Sequence, residues 1–130
     1  MAFMGFREPN EVRWVGVRPA HRGEHFAVSS LATNATVVLY TVPAGKTCYL
    51  CGATLSTYQG VVNGTGTLVV RNAADVLQYT LATLVNPVTT SLVCPMIFTP
   101  PIEIAAGWDI AIVSNLAGVT AHGFIRGWVE

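Results

Sequence analysis

The feature of this sequence that most limits its fold is a succession of short stretches rich in β-branched residues, each closed by turn residues and none carrying a helical period. With 18 Val and 14 Thr among 130 residues, the chain is stocked with side chains that are stiff at χ1 and suit a pleated surface. The stretches fall around Ser30-Leu31 and at residues 36–42, 47–57, 67–71, 76–84, 88–98, 102–104, 108–115 and 120–129. Pro43-Ala44-Gly45-Lys46 closes the second, proline fixing φ and glycine accepting a positive one. In 47–57 the odd positions Tyr49, Cys51, Ala53 and Leu55 form the more apolar face. In 76–84, Leu77, Tyr79 and Leu81 alternate with Gln78 and Thr80, the pattern of a half-buried strand. In 108–115, Trp108, Ile110 and Ile112 share one face. Pro95 lacks a ladder donor, which suits an edge strand or a bulge.

About eight strands at a spacing of 8–12 residues predict an all-β fold, with a jelly-roll-like antiparallel β-sandwich as the first choice. Residues 42–47 and 104–109 echo one another, as two similar turns of one sandwich would. Length leaves room for one core and no second domain. Within that domain, residues 26–130 are the sandwich. Residues 1–25 show no period of either kind, contain Pro9 and Pro19, and are expected to form an extended N-terminal arm.

Charge is scarce and unevenly placed. Charged residues make up 11% of the chain, less than half of the roughly 25% usual for a globular domain. Seven of the fourteen lie in the first 25 residues, and only Lys46, Arg71, Asp75, Glu103 and Asp109 fall between Phe26 and Ile125. So uncharged a surface calls for a partner, and symmetric closure to a dimer or trimer is the usual outcome. A formal net charge of zero gives no basic excess to drive nucleic-acid binding, so nucleic acid is not expected as a partner. A membrane is not expected either, since no run of about 18 apolar residues occurs. The opening MAFMGFREPNEVRW carries charges where the apolar core of a secretory signal would lie, so export by that route is not expected.

The chemistry-bearing motifs weaken when placed on strands. His21-Arg22-Gly23-Glu24-His25 has the spacing of a zinc-binding H-x-x-E-H helix, yet Pro19, Gly23 and the strand-like residues that follow deny it a helix. Cys48 and Cys51 have C-x-x-C spacing, but positions three apart on a strand point to opposite faces, so they and Cys94 are expected to be buried, reduced thiols. Asn34-Ala35-Thr36 and Asn63-Gly64-Thr65 read as turns. No paired carboxylates, phosphate loop or nucleophile elbow is present, so no catalytic residue, metal or cofactor is expected. Binding is expected in two places. Phe6 and Trp14 are apolar plugs of the arm, with Arg7, Arg13, Arg18 and Arg22 as its pairing groups. On the last strand His122, Phe124, Arg126 and Trp128 share one face, opposite Ala121, Gly123, Ile125, Gly127 and Val129.

The runs Thr41 to Leu50, T-V-P-A-G-K-T-x-Y-L, and Pro101 to Ile110, P-I-E-I-A-A-G-W-D-I, with A-H-G-F-I-R-G-W from Ala121 to Trp128, resemble small bacteriophage virion proteins, in particular jelly-roll head-decoration or cement proteins. The resemblance covers about the last 90 residues. It implies a non-enzymatic homo-oligomer, made in the host cytoplasm, that binds the major capsid protein on the capsid exterior. Two other readings use the same architecture. One is a tail-fibre or receptor-binding module that recognises a host glycan. The other is a cupin-like enzyme, which needs clustered histidines where this chain has His122 alone outside the arm.

Overall fold

The computed structural model describes residues 23–58, 64–86, 91–115 and 118–130. The proposed arm contacts Phe6, Arg7, Arg13, Trp14, Arg18 and Arg22 all lie outside the described residues, as do His21 and Asn63. Eight strands make up the rest: β1 (Glu24–Thr33), β2 (Thr36–Thr41), β3 (Cys48–Thr57), β4 (Gly64–Arg71), β5 (Leu77–Asn86), β6 (Leu92–Ile104), β7 (Asp109–Ser114) and β8 (Thr120–Val129). They form two antiparallel four-stranded sheets. Sheet A has the order β1-β8-β3-β6 and sheet B the order β2-β7-β4-β5. Among the described connections only β4 to β5 stays within a sheet. All others cross, which is the double Greek-key order of a jelly roll.

The core lies between the sheets and is aliphatic. Leu50, Leu55, Leu68, Ile110, Ile112 and Ile125 are fully buried there, each contributing about 1.5–3 kcal/mol of burial free energy. The two echoing turns meet at one end of the sandwich. Gly45 and Gly107 take φ of 76° and 82°, which glycine adopts without steric cost. The Val42 N–H donates to the Trp108 carbonyl at 2.9 Å, and the Gly107 N–H donates to the Val42 carbonyl at the same distance.

Three expectations change. β1 begins at Glu24, pairing with Val129, so residues 24 and 25 belong to the sandwich and not to the arm. In β3 the apolar face switches partway: Cys48 and Leu50 point inward, then Ala53, Leu55 and Thr57 do. The cause is a bulge at Cys51, where the pairing steps from Leu50↔Ile102 to Gly52↔Ile97. An extra residue there flips the alternation. β5 is a sheet edge with two register breaks, at Leu81 and Gln78. Leu77 and Tyr79 are 56% and 45% exposed, so the half-buried face expected there is restricted to Leu81, Ala82 and Leu84. Pro95 does occupy an edge strand, since β6 closes one side of sheet A.

Candidate functional site

β8 carries no register break against β1, so its alternation holds along its whole length. Ala121, Gly123, Ile125, Gly127 and Val129 are buried, while Thr120, His122, Phe124 and Arg126 face out. Small inward residues let the sheets approach closely: a Cβ on Gly123 would lie 2.5 Å from the Ile112 side chain. Because β8 lies between β1 and β3, each outward residue becomes part of a row across the sheet. The rows are His25–Trp128–Tyr49–Glu103, Ala27–Arg126–Gly52–Ile97, Ser29–Phe124–Thr54–Pro95 and Leu31–His122–Ser56–Val93. The sequence-derived face is thus real and continuous, and it is flanked by apolar side chains open to solvent: Leu31 is 49% exposed, Val93 67% and Ile97 77%.

The four nominated residues differ in what they offer. Arg126 is exposed, and its guanidinium lies over Gly52, where a Cβ would come within 3.1 Å of Nε. His122 and Phe124 are half-buried. Trp128 is only 7% exposed: it stacks on Tyr49 at 5.1 Å and 17° and on His25 at 6.3 Å and 29°, while Nε1 reaches Glu130 at 3.4 Å. It therefore anchors the face from beneath, and the bare apolar contacts come from neighbouring strands.

At the Trp128 end the face is hollowed. Opposite the single bulged Cys51, β6 carries four residues out of register, Phe98, Thr99, Pro100 and Pro101. They wall a depression of about 540 Å³ whose floor and rim include Tyr49, Cys51, Arg126, Glu103 and Glu130. Burial pushes the Cys51 thiol up, against the opposing pull of Arg126. The Tyr49 hydroxyl is also pushed up, by desolvation first and then by the Glu103 and Glu130 carboxylates. Tyr49 was expected on the more apolar face of residues 47–57, and Gly52, Ile97 and the Pro100-Pro101 wall had no part in the expected binding face; all of them join it only through strand register.

The cysteines divide. Cys48 is buried in the core, whereas Cys51 and Cys94 are half-buried, which corrects the expectation of three buried thiols. Glu24 and His25 sit on a strand, on opposite sides of β1, so that half of the H-x-x-E-H sequence is not helical. Among the described residues no three His, Cys, Asp or Glu side chains converge as a metal site would require. Sheet B has its own outer face of Val38, Thr67, Val69, Ala111, Val113 and Val85. Its charges are confined to one end, where Arg71 bonds Asp109 through Nε and Nη2 at 2.9 and 2.8 Å and approaches Asp75 at 3.5 Å.

Comparison with known proteins finds no matching family model and no matching curated protein. Among solved structures, the chain is similar to a pentameric capsid protein isolated from metagenomic phage sequences, with a TM-score of 0.44 and 17% sequence identity. That match covers 80% of this chain and 59% of the other, so this chain spans less than two thirds of that protein's length.

Proposed function

We propose that the chain is a structural protein of a bacteriophage virion, a decoration or cement protein that binds the outside of the major capsid protein lattice and stabilises the head without catalysing a reaction. The observation that carries this reading is the outer face of sheet A. Its four rows hold one arginine and one glutamate among sixteen positions, and three of its aliphatic side chains stand between 49% and 77% exposed. An apolar face of that extent on an otherwise charge-poor domain suits burial between subunits. The jelly-roll order is an architecture shared by viral capsid and lectin domains, and symmetric closure to a dimer or trimer is the simplest assembly. Residues 1–22, with four of the seven basic residues of the chain, supply a second contact. Mixing the purified protein with capsids stripped of it and sedimenting them tests the reading. Co-sedimentation that saturates at a fixed stoichiometry is expected, and failure to bind overturns it.

One observation favours the glycan-binding reading. The depression places the aromatic rings of His25, Tyr49 and Trp128 beside Arg126, Glu103 and Glu130, the mixture of aromatic surface and hydrogen-bonding groups that a sugar needs. Binding to host cells or glycan arrays, with none to capsids, selects the tail-fibre module.

A further inference from the structure

Each sheet ends in two edge strands, β1 and β6 in sheet A and β2 and β5 in sheet B, and an edge presents a row of N–H and C=O groups that another extended chain can pair. Three of the four edges are blunted. β6 contains Pro95, Pro100 and Pro101, β5 has two register breaks, and β2 is six residues long and broken between Val38 and Tyr40. β1 has none of these protections: it runs ten residues from Glu24 to Thr33, without proline and in unbroken register against β8. Its residues from Phe26 to Thr33 carry no charge.

The hydrogen bonds fix which backbone groups of β1 are open. The Glu130 N–H donates to the Thr47 carbonyl at 3.1 Å and the Thr47 N–H to the Glu130 carbonyl at 2.9 Å, while at the other end of β8 the Tyr58 N–H donates to the Thr120 carbonyl at 2.9 Å. Even-numbered residues of β8 therefore turn their backbone groups towards β3 and odd-numbered ones towards β1, since the direction alternates along a strand. Carried across the register, Glu24, Phe26, Val28, Ser30 and Ala32 bond to β8, while His25, Ala27, Ser29, Leu31 and Thr33 direct theirs outward. Among the described residues no strand pairs with that side. The inner side chains of β1 are incompletely covered as well: Phe26, Val28 and Ser30 are half-buried, whereas the inward residues of β8 beside them are buried.

We propose that β1 pairs antiparallel with β1 of a second copy across a two-fold axis at Ser29, joining the two four-stranded A sheets into one. Only outward-directed residues can bond, so odd positions must face odd positions. The fullest overlap sets His25 against Thr33, Ala27 against Leu31 and Ser29 against itself, each facing pair exchanging two hydrogen bonds. The strand is its own complement in that register, which engages every outward residue and brings no two charges together. It also continues the apolar face, since the row from Val93 to Leu31 runs on into the Ala27 row of the second copy. This rests on the reading of the chain as a homo-oligomer and not on what the oligomer binds. The test uses the full chain with Cys51→Ser and Cys94→Ser. Facing Cα atoms at position 29 would stand about 5.5 Å apart, within disulfide range, so adding Ser29→Cys is expected to give a covalent dimer under mild oxidation. Ala27→Cys alone, displaced about 13 Å from its own counterpart, should give none, and an equal mixture of Ala27→Cys and Leu31→Cys should cross-link. Ser29→Glu and Ser29→Lys, each facing its own charge, should each weaken dimerisation roughly fivefold, and mixing the two should restore it. Ser29 is exposed, so the unfolding midpoints of these variants should match that of the parent. No cross-link at Ser29→Cys, a cross-link through Ala27→Cys alone, or no recovery on mixing overturns the proposal. Light scattering and capsid co-sedimentation on the same variants separate the failures: oligomers without the Ser29→Cys cross-link sink the edge pairing alone, monomers at high concentration sink the homo-oligomer reading with it, and cross-linked dimers that ignore capsids sink only the capsid role.

Discussion

Gly127 and Gly45 show how differently one residue type is used in this fold. Nothing lies within 4 Å of a Cβ built on Gly45, whose φ is 76°, so Gly45→Ala costs only the left-handed backbone, about 1–2 kcal/mol. A Cβ on Gly127 would fall on the Tyr49 carbonyl oxygen and lie 3.1 Å from the Leu50 Cα. Those are backbone atoms of the adjacent strand, which no rotamer change moves, so Gly127→Ala is expected to cost about 3 kcal/mol or more. Urea unfolding of the two variants should rank them in that order. Cys48 carries a pH dependence of its own. Burial, and then the neighbouring Cys51, pushes its thiol up from 9.0 to about 12. Between those values the unfolded chain has released the proton and the folded chain has not, so the unfolded state binds fewer protons and stability falls as pH rises. The contribution is fully present below pH 9 and on the order of a few kcal/mol is lost towards pH 12. Tyr40, Cys51 and Arg71 are pushed the same way, so Cys48→Ala should flatten the alkaline limb of the stability profile without abolishing it. An unchanged slope in chemical denaturation at stepped pH contradicts this.

Between strands, the Arg71–Asp109 pair joins β4 to β7 at one end of sheet B, with the carboxylate only 8% exposed and the guanidinium 18%. Removing one partner leaves the other charge mostly buried, so Arg71→Ala or Asp109→Ala should each cost about 3 kcal/mol, and the double variant clearly less than the sum. Additive losses in thermal unfolding would mean the two act independently. The same scale explains what the sequence disclosed. β8 was legible because its alternation is unbroken against β1, so its outward His122, Phe124, Arg126 and Trp128 could be read directly. β3 was not, since the bulge at Cys51 reverses the alternation midway. Gly52 within the strand was the available signal, glycine in a strand interior often marking a bulge. β5 misled for a related reason: two register breaks on an edge strand left Leu77 and Tyr79 in solvent. The depression could not be read from composition at all, because its wall is four β6 residues whose position depends on pairing with β3.

For the whole molecule, the strand count and the turn chemistry implied a two-sheet sandwich, and the crossing connections order it as a jelly roll. Composition carried the other clue, since a domain so poor in charge has outer faces with little to keep a partner away. Both sheets present such a face, but they are not equal. On sheet B the exposed aliphatic residues are Val38 on one edge and Leu77 and Val85 at opposite ends of the other edge strand, separated from Val38 by Thr67, Val69, Ala111 and Val113. On sheet A, Val93 and Ile97 stand on the same edge strand only two rows apart, with Pro95 in the row between them and the half-buried Phe124 two strands away in that row. Clustered apolar area forms the core of an interface, whereas scattered single residues are ordinary surface. Val93→Lys with Ile97→Lys should therefore weaken self-association or capsid binding by at least about tenfold, because each lysine must be desolvated in the interface. Both side chains are more than two thirds solvent-exposed, at 67% and 77%, so the unfolding midpoint should stay nearly constant, within about 0.5 kcal/mol. Val38→Lys with Val85→Lys on sheet B is the matched control and should leave association intact. Light scattering and capsid co-sedimentation read both pairs, and association lost in the sheet B pair but kept in the sheet A pair would move the interface to the other face.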